Sequence, residues 1–141
     1  MAVNKHDERQ DVIRAIVRER SIMTQRDLAD ALHEQGFSCT QATVSRDITE
    51  MNLHKLPDGR YALAEDLYLK RMIVDLVVDV KRAGNLVVVK AETGTAAGVA
   101  AALDAAHLDG VVGSVAGDDT ILVIGEDEAK AQVIMKQLGG V

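Results

Sequence analysis

The chain has 141 residues, a hydrophobic fraction of 48% and a formal net charge of −6 from 16 basic and 22 acidic side chains. Its one cysteine, Cys39, excludes an internal disulfide and a multi-cysteine zinc site, and its four histidines (His6, His33, His54, His107) show no metal-ligand spacing. It contains no apolar run of about 18 residues and no signal-peptide pattern, so a soluble cytoplasmic protein is expected; with only Phe37, Tyr61 and Tyr68 aromatic, its core is aliphatic.

Residues 5–20, KHDERQDVIRAIVRER, carry Val12, Ile13, Ile16 and Val17 as one stripe and predict a first helix. SIMTQRDLADALHEQG predicts a second, with Thr24 as N-cap, Leu28, Ala31 and Leu32 as its apolar face and Gly36 as its stop. TQATVSRDITEM, residues 40–51, predicts a third, capped by Thr40 or by Ser38 in a box with Gln41. Its stripe is Val44, Ile48 and Met51. LHKLPDGRYAL then reads as a β-hairpin around Pro57-Asp58-Gly59. Three short helices and a hairpin are the order of a winged helix-turn-helix.

The pattern changes at about Ile73. IVDLVVDV and NLVVVKAE are β-branched runs, TGTAAGVAAALDAAHL is an Ala-rich helix, VVGSVAG and TILVIG are two more strands, and EDEAKAQVIMKQLGG closes the chain as a helix. The fold class expected is therefore α+β, a winged helix-turn-helix over 1–66, a linker over 67–72 within a charged connector, roughly Ala64–Arg71, that is partly helical in character, and a ββαββα domain over 73–141. Each half has about 70 residues, where a single core is marginal, so the valine-rich second half is expected to bury surface against copies of itself.

The third helix is unusual on its polar side. Ala42, Ser45, Arg46 and Thr49 lie opposite the stripe, and Gln41 sits in the first turn. Arg46 can fork onto guanine O6 and N7, Gln41 can pair with adenine, and the Ala42 methyl can touch that of thymine. Ser45 and Thr43 reach phosphate oxygens, and Lys55 and Arg60 of the hairpin can clamp the backbone. The charge argues against indiscriminate phosphate attraction: ten basic residues oppose twelve acidic ones through Lys70, and six oppose ten beyond it. Contact with double-stranded DNA must then be local and multiplied by oligomerisation. In the second half, Asp118 and Asp119 lie between two strands, where Gly-Asp-Asp-Thr is also an ordinary turn. Paired carboxylates without histidine suit an organic cation better than a transition metal, and a guanidinium fork matches their geometry. The start of the Ala-rich helix, at Gly94–Gly98, exposes N–H groups for an α-carboxylate. No G-x-S-x-G, H-E-x-x-H or Walker lysine is present, and an enzyme is not expected.

TQATVSRDI after TQRDLADAL resembles the winged helix-turn-helix of the bacterial arginine repressor family, and VVGSVAGDDTILVI resembles that family's G-T-I-A-G-D-D-T-I signature. The resemblance covers nearly the whole chain. It implies an arginine-dependent regulator that binds palindromic operators as a hexamer, a dimer of trimers, with L-arginine as corepressor at the trimer–trimer interface and no other cofactor. It implies repression of arginine biosynthesis and leaves activation of catabolism open. Gln25, which opens the second helix, joins Gln41, Ala42, Thr43, Ser45, Arg46, Lys55 and Arg60 as a DNA contact. Asp118 and Asp119 match the family's paired aspartates, Asp104 its acidic helix residue and Ala96 a small residue lining the site. Ala97 departs from the pattern, since many relatives carry Gln or His there. The alternative is a regulator of the same architecture that senses a different small molecule.

Overall fold

Every helix of the first half begins where a side chain can close its open N–H groups. In the computed structural model, which describes residues 4–139 in two compact units divided after Ala64, α1 (Lys5–Glu19) is capped by Asn4, whose side chain accepts from the Asp7 N–H at 2.8 Å. The predicted positions at 1–3 and 140–141 lie outside the described residues. Thr24 and Asp27 form a reciprocal capping box on α2 (Gln25–Glu34). Thr40, rather than Ser38, caps α3 (Gln41–Glu50) by accepting from the Thr43 N–H. Gly36 ends α2 at φ +91°, a conformation that costs a side-chain-bearing residue energy. Strands β1 (Leu53–Lys55) and β2 (Tyr61–Leu63) pair antiparallel as the wing, Lys55 opposite Tyr61. Ile13, Ile16 and Val17 of α1, Leu28, Ala31 and Leu32 of α2, Val44 of α3, Met51 and Leu63 form one aliphatic core.

The second unit departs from expectation at its start. The connector read as partly helical is helical throughout: 67–72 and the first residues of the run read as a strand, 73–76, are one helix, α4 (Ala64–Leu76), and β3 begins only at Val77 (Val77–Ala83). The cause is periodicity. Leu69, Met72, Ile73 and Leu76 recur at i, i+3, i+4, i+7 and pack against the unit's core, and that stripe overrides the β propensity of Ile73 and Val74.

Beyond it the expected order holds: β4 (Leu86–Ala91), α5 (Ala96–Ala106), β5 (Val111–Ala116), β6 (Thr120–Gly125) and α6 (Glu128–Gln137). The four strands make an antiparallel sheet in the order β3-β4-β6-β5. Val87 and Val89 of β4 and Ile121 and Val123 of β6 are buried with α5 and α6. The alternate residues point to the other face, where register aligns Val88, Leu122 and Val115 in one row and Leu86 and Ile124 in the next. No described helix covers that face. Val115 is 59% exposed, and Val112, at a bulge of edge strand β5, is 67% exposed. No helix is long and apolar enough to cross a membrane among the described residues.

Candidate nucleic-acid interface and effector site

The buried side of α3 decides what its other side presents. Val44 and Met51 are buried and Ile48 is half-buried, while Gln41, Ala42, Arg46 and Thr49 are exposed and Thr43 and Ser45 lie at the margin. Thr43 is partly committed locally, its hydroxyl 3.0 Å from that of Thr40. Arg46 has no ion-pair or hydrogen-bond partner among the described residues. That frees its guanidinium for an external acceptor. Gln25 is half-buried in the first turn of α2.

The wing is less free. The Arg60 Nε donates to Asp58 Oδ2 at 2.8 Å, so a phosphate would have to draw it from a neighbouring carboxylate. The Asp58 carboxyl is held below its ordinary value of 3.8 by the Arg60 backbone N–H and then its side chain. Lys55 places its ammonium 5.4 Å from the centre of the Tyr61 ring, a cation–π contact that keeps the charge at the surface.

A residue that periodicity should have exposed is Asp47. It is 1% exposed, the buried charged residue of this chain among those described. The stripe 44, 47, 48, 51 is a complete i, i+3, i+4, i+7 set, and reading only its apolar members hid the acid inside it. Burial pushes the Asp47 carboxyl up, but hydrogen bonds from Arg9 and Gln10 prevail and hold it below 3.8. The Arg9 Nη2 donates to Oδ1 at 2.9 Å and its Nε to Oδ2, a bidentate fork. One turn on, Glu50 accepts from Gln10 at 2.9 Å and meets the His6 Nε2 at 2.8 Å. His6, Asp47 and Glu50 thus bring ligand-type atoms within 4.8 Å, a cluster invisible in sequence because 41 or more positions separate His6 from the acids. Asp47 is already committed to Arg9, which makes the cluster an ion-pair network.

In the second unit the β5–β6 turn closes tightly, the Gly117 N–H donating to the Thr120 carbonyl at 2.8 Å. The Asp118 carbonyl accepts from the Ala96 N–H at 3.2 Å and the Asp119 carbonyl from the Ala91 N–H at 2.8 Å. These bonds bring Asp118, Asp119, Ala96 and Ala97 together at the start of α5. The two carboxylates differ. Asp119 faces the Lys90 ammonium at 3.9 Å and accepts from the Thr120 hydroxyl, whereas the Asp118 side chain has no partner among the described residues. Lys90 escaped the sequence reading, although it lies directly across the ladder from Thr120. Thr95, at the N-cap of α5, gives its hydroxyl to the Glu92 carbonyl and makes no side-chain cap, so the Ala97 and Gly98 N–H groups receive none. An exposed carboxylate beside open helix N–H groups is suited to a zwitterion.

Asp104 is not brought to this place. It lies eight residues along α5, about 12 Å at 1.5 Å per residue, accepts from the Ser114 hydroxyl at 2.9 Å, and lines a separate cleft of about 300 Å³ with His107 and Val112. Ala96 is fully buried, while Ala97 is exposed and offers only a methyl group.

Comparison with known proteins agrees with both halves. Residues 3–68 match the profile described as arginine repressor, DNA binding domain, and residues 73–139 that described as arginine repressor, C-terminal domain. Proteins named arginine repressor from Thermus thermophilus, Halothermothrix orenii and Symbiobacterium thermophilum are 44%, 40% and 47% identical, covering 94%, 87% and 82% of this chain and 88%, 89% and 84% of their own lengths.

Proposed function

Because the chain belongs to the arginine repressor family, whose members are DNA-binding transcriptional repressors, we propose that it reads operator DNA with α3 and responds to L-arginine through the Asp118–Asp119 turn. The observation that carries this is Arg46, exposed and without a partner among the described residues, on a helix whose opposite side is locked into the core. Gln41, Ala42 and Arg46 read base edges, Thr43, Ser45 and Gln25 hold the backbone, and Lys55 and Arg60 flank the groove. The work is done in the cytoplasm, on DNA.

Arginine is a suitable effector for the β5–β6 turn on charge grounds. Its guanidinium offers a donor fork to the Asp118 and Asp119 carboxylates, and its α-carboxylate suits the open N–H groups of α5. The helix-free sheet face, with Val88, Val115 and Leu122 in one row, supports assembly of copies into trimers and hexamers. Asp104 then joins the effector site only if a facing copy supplies it.

One observation favours a second reading: the methyl group of Ala97 beside Asp118 cannot hydrogen-bond a ligand, and a regulator built this way for another amphoteric cation has the same outline. A gel shift on a promoter fragment of an arginine-biosynthesis gene from the same genome, with and without arginine, tests the first reading. The expected result is a shift that arginine strengthens. A shift indifferent to arginine but strengthened by another amino acid moves the assignment to the second reading, and no selectivity over a shuffled duplex sinks both.

A further inference from the structure

The recognition helix has to be held against rotation about its own axis, and apolar packing alone does that poorly. Burial of Val44 and Met51 is favourable in proportion to area and has little direction. α1 and α3 meet through the shared apolar core of Ile13, Ile16, Val17 and Val44, and beyond it long polar side chains link the two helices. On α1 these are His6, Arg9 and Gln10, at i, i+3 and i+4; on α3 they are Asp47 and Glu50, at i and i+3. Both Asp47 oxygens are taken, by the Arg9 fork and by Gln10 at 3.2 Å. A buried pair of this kind gives little net stability over an apolar pair of the same size. What it adds is direction, because a bidentate guanidinium–carboxylate contact fixes both separation and angle.

We propose that Arg9, seconded by Gln10 and His6, is a positioning residue for DNA reading, which sets the roll of α3 through Asp47 and so decides which α3 side chains face the bases. Asp47 is the neighbour of Arg46 in the chain, and no flexible segment lies between the clamp and the reader. A side-chain tip lies about 5–6 Å from a helix axis, so a roll of about 20° moves it by about 2 Å, enough to break a bidentate contact to a base edge. The inference rests on α3 being the reader, and its test separates the two.

The quantity to measure is the ratio of affinities of the full-length protein for the arginine-gene promoter fragment and for a shuffled duplex, at one salt concentration. The informative variant is the double replacement Arg9→Met with Asp47→Leu, which removes the fork without stranding a buried charge. Arg46→Ala is run beside it. The clamp predicts a double variant with the melting temperature and oligomer size of the parent whose ratio falls about tenfold, comparable to losing a base contact. An unchanged ratio in the double variant, with the ratio lost in Arg46→Ala, overturns the clamp and leaves α3 as the reader. A ratio retained in Arg46→Ala removes α3 as the reader and the clamp with it. Should the double variant not fold, Gln10→Ala decides, since it removes hydrogen bonds at the more exposed end of the same network. A fall of about threefold at constant melting temperature supports the clamp, and no change overturns it.

Discussion

Asp118 and Asp119 are neighbours of the same charge whose circumstances differ. Asp119 is shared with Lys90 and the Thr120 hydroxyl, so a ligand cation has to compete with an ammonium already 3.9 Å away. Asp118 has no such competitor among the described residues. The Asp118→Asn variant is therefore expected to lose more arginine affinity than Asp119→Asn, by about 1.5–3 kcal/mol for a charge-assisted hydrogen bond. Calorimetry on both variants measures the difference, with lysine and citrulline as controls. Citrulline keeps the shape of arginine and lacks its charge, and if it binds as well as arginine the carboxylates are only a turn. Of the residues proposed for this site, the turn that carries the two aspartates was legible in sequence because the G-D-D-T spacing is local. The place of Asp104 was not, because it depends on which side of α5 faces Ser114 on β5.

At the scale of elements, helix caps and turns were readable for the same local reason: Thr24, Thr40 and Gly36 act within four residues of themselves. The failures concern partners distant in sequence. α4 continues to Leu76 because its stripe meets a core assembled from residues up to Leu138, and Asp47 is tolerated inside α3 because Arg9 arrives from α1. The α1–α3 network also has a pH signature. Asp47, with a lowered pKa, contributes stability that is present above its ordinary 3.8 and is lost as pH falls through the lower folded value. His6 has the opposite sign. Its pKa is raised by the hydrogen bond to Glu50 and then by Asp7, so its contribution is complete below 6.5 and is lost as pH rises through the raised value. Both partners are well exposed, and the effect on folding is small. It is visible by NMR titration of the His6 ring, whose midpoint is expected to drop towards 6.5 in Glu50→Gln. An identical midpoint in that variant means that the contact does not form in solution.

For the whole molecule the question is how a chain of net charge −6 holds DNA. Through Lys70 ten basic residues face twelve acidic ones, and what one winged-helix unit offers DNA is Arg46, without a partner among the described residues, and a wing with Lys55 and a partly neutralised Arg60, too little for phosphate attraction to carry tight binding. Linking several such units through the second domain turns later contacts into intramolecular ones at high effective concentration. The helix-free sheet face, with Val88, Val115 and Leu122 in one row, is the surface on which the proposed assembly would bury apolar area. Sedimentation is therefore expected to give trimers, hexamers or both. If arginine bridges carboxylates of facing trimers, it binds the hexamer better than the trimer and shifts the balance only by that difference in affinity. Adding arginine should then raise the hexamer fraction and the operator affinity together, while Asp118→Asn keeps the trimer and loses both responses. Wild type and Asp118→Asn, sedimented at matched concentrations with and without arginine, test the coupling. A monodisperse monomer at micromolar concentration would remove its basis, and a hexamer equally populated in all four samples would place the arginine response within the trimer.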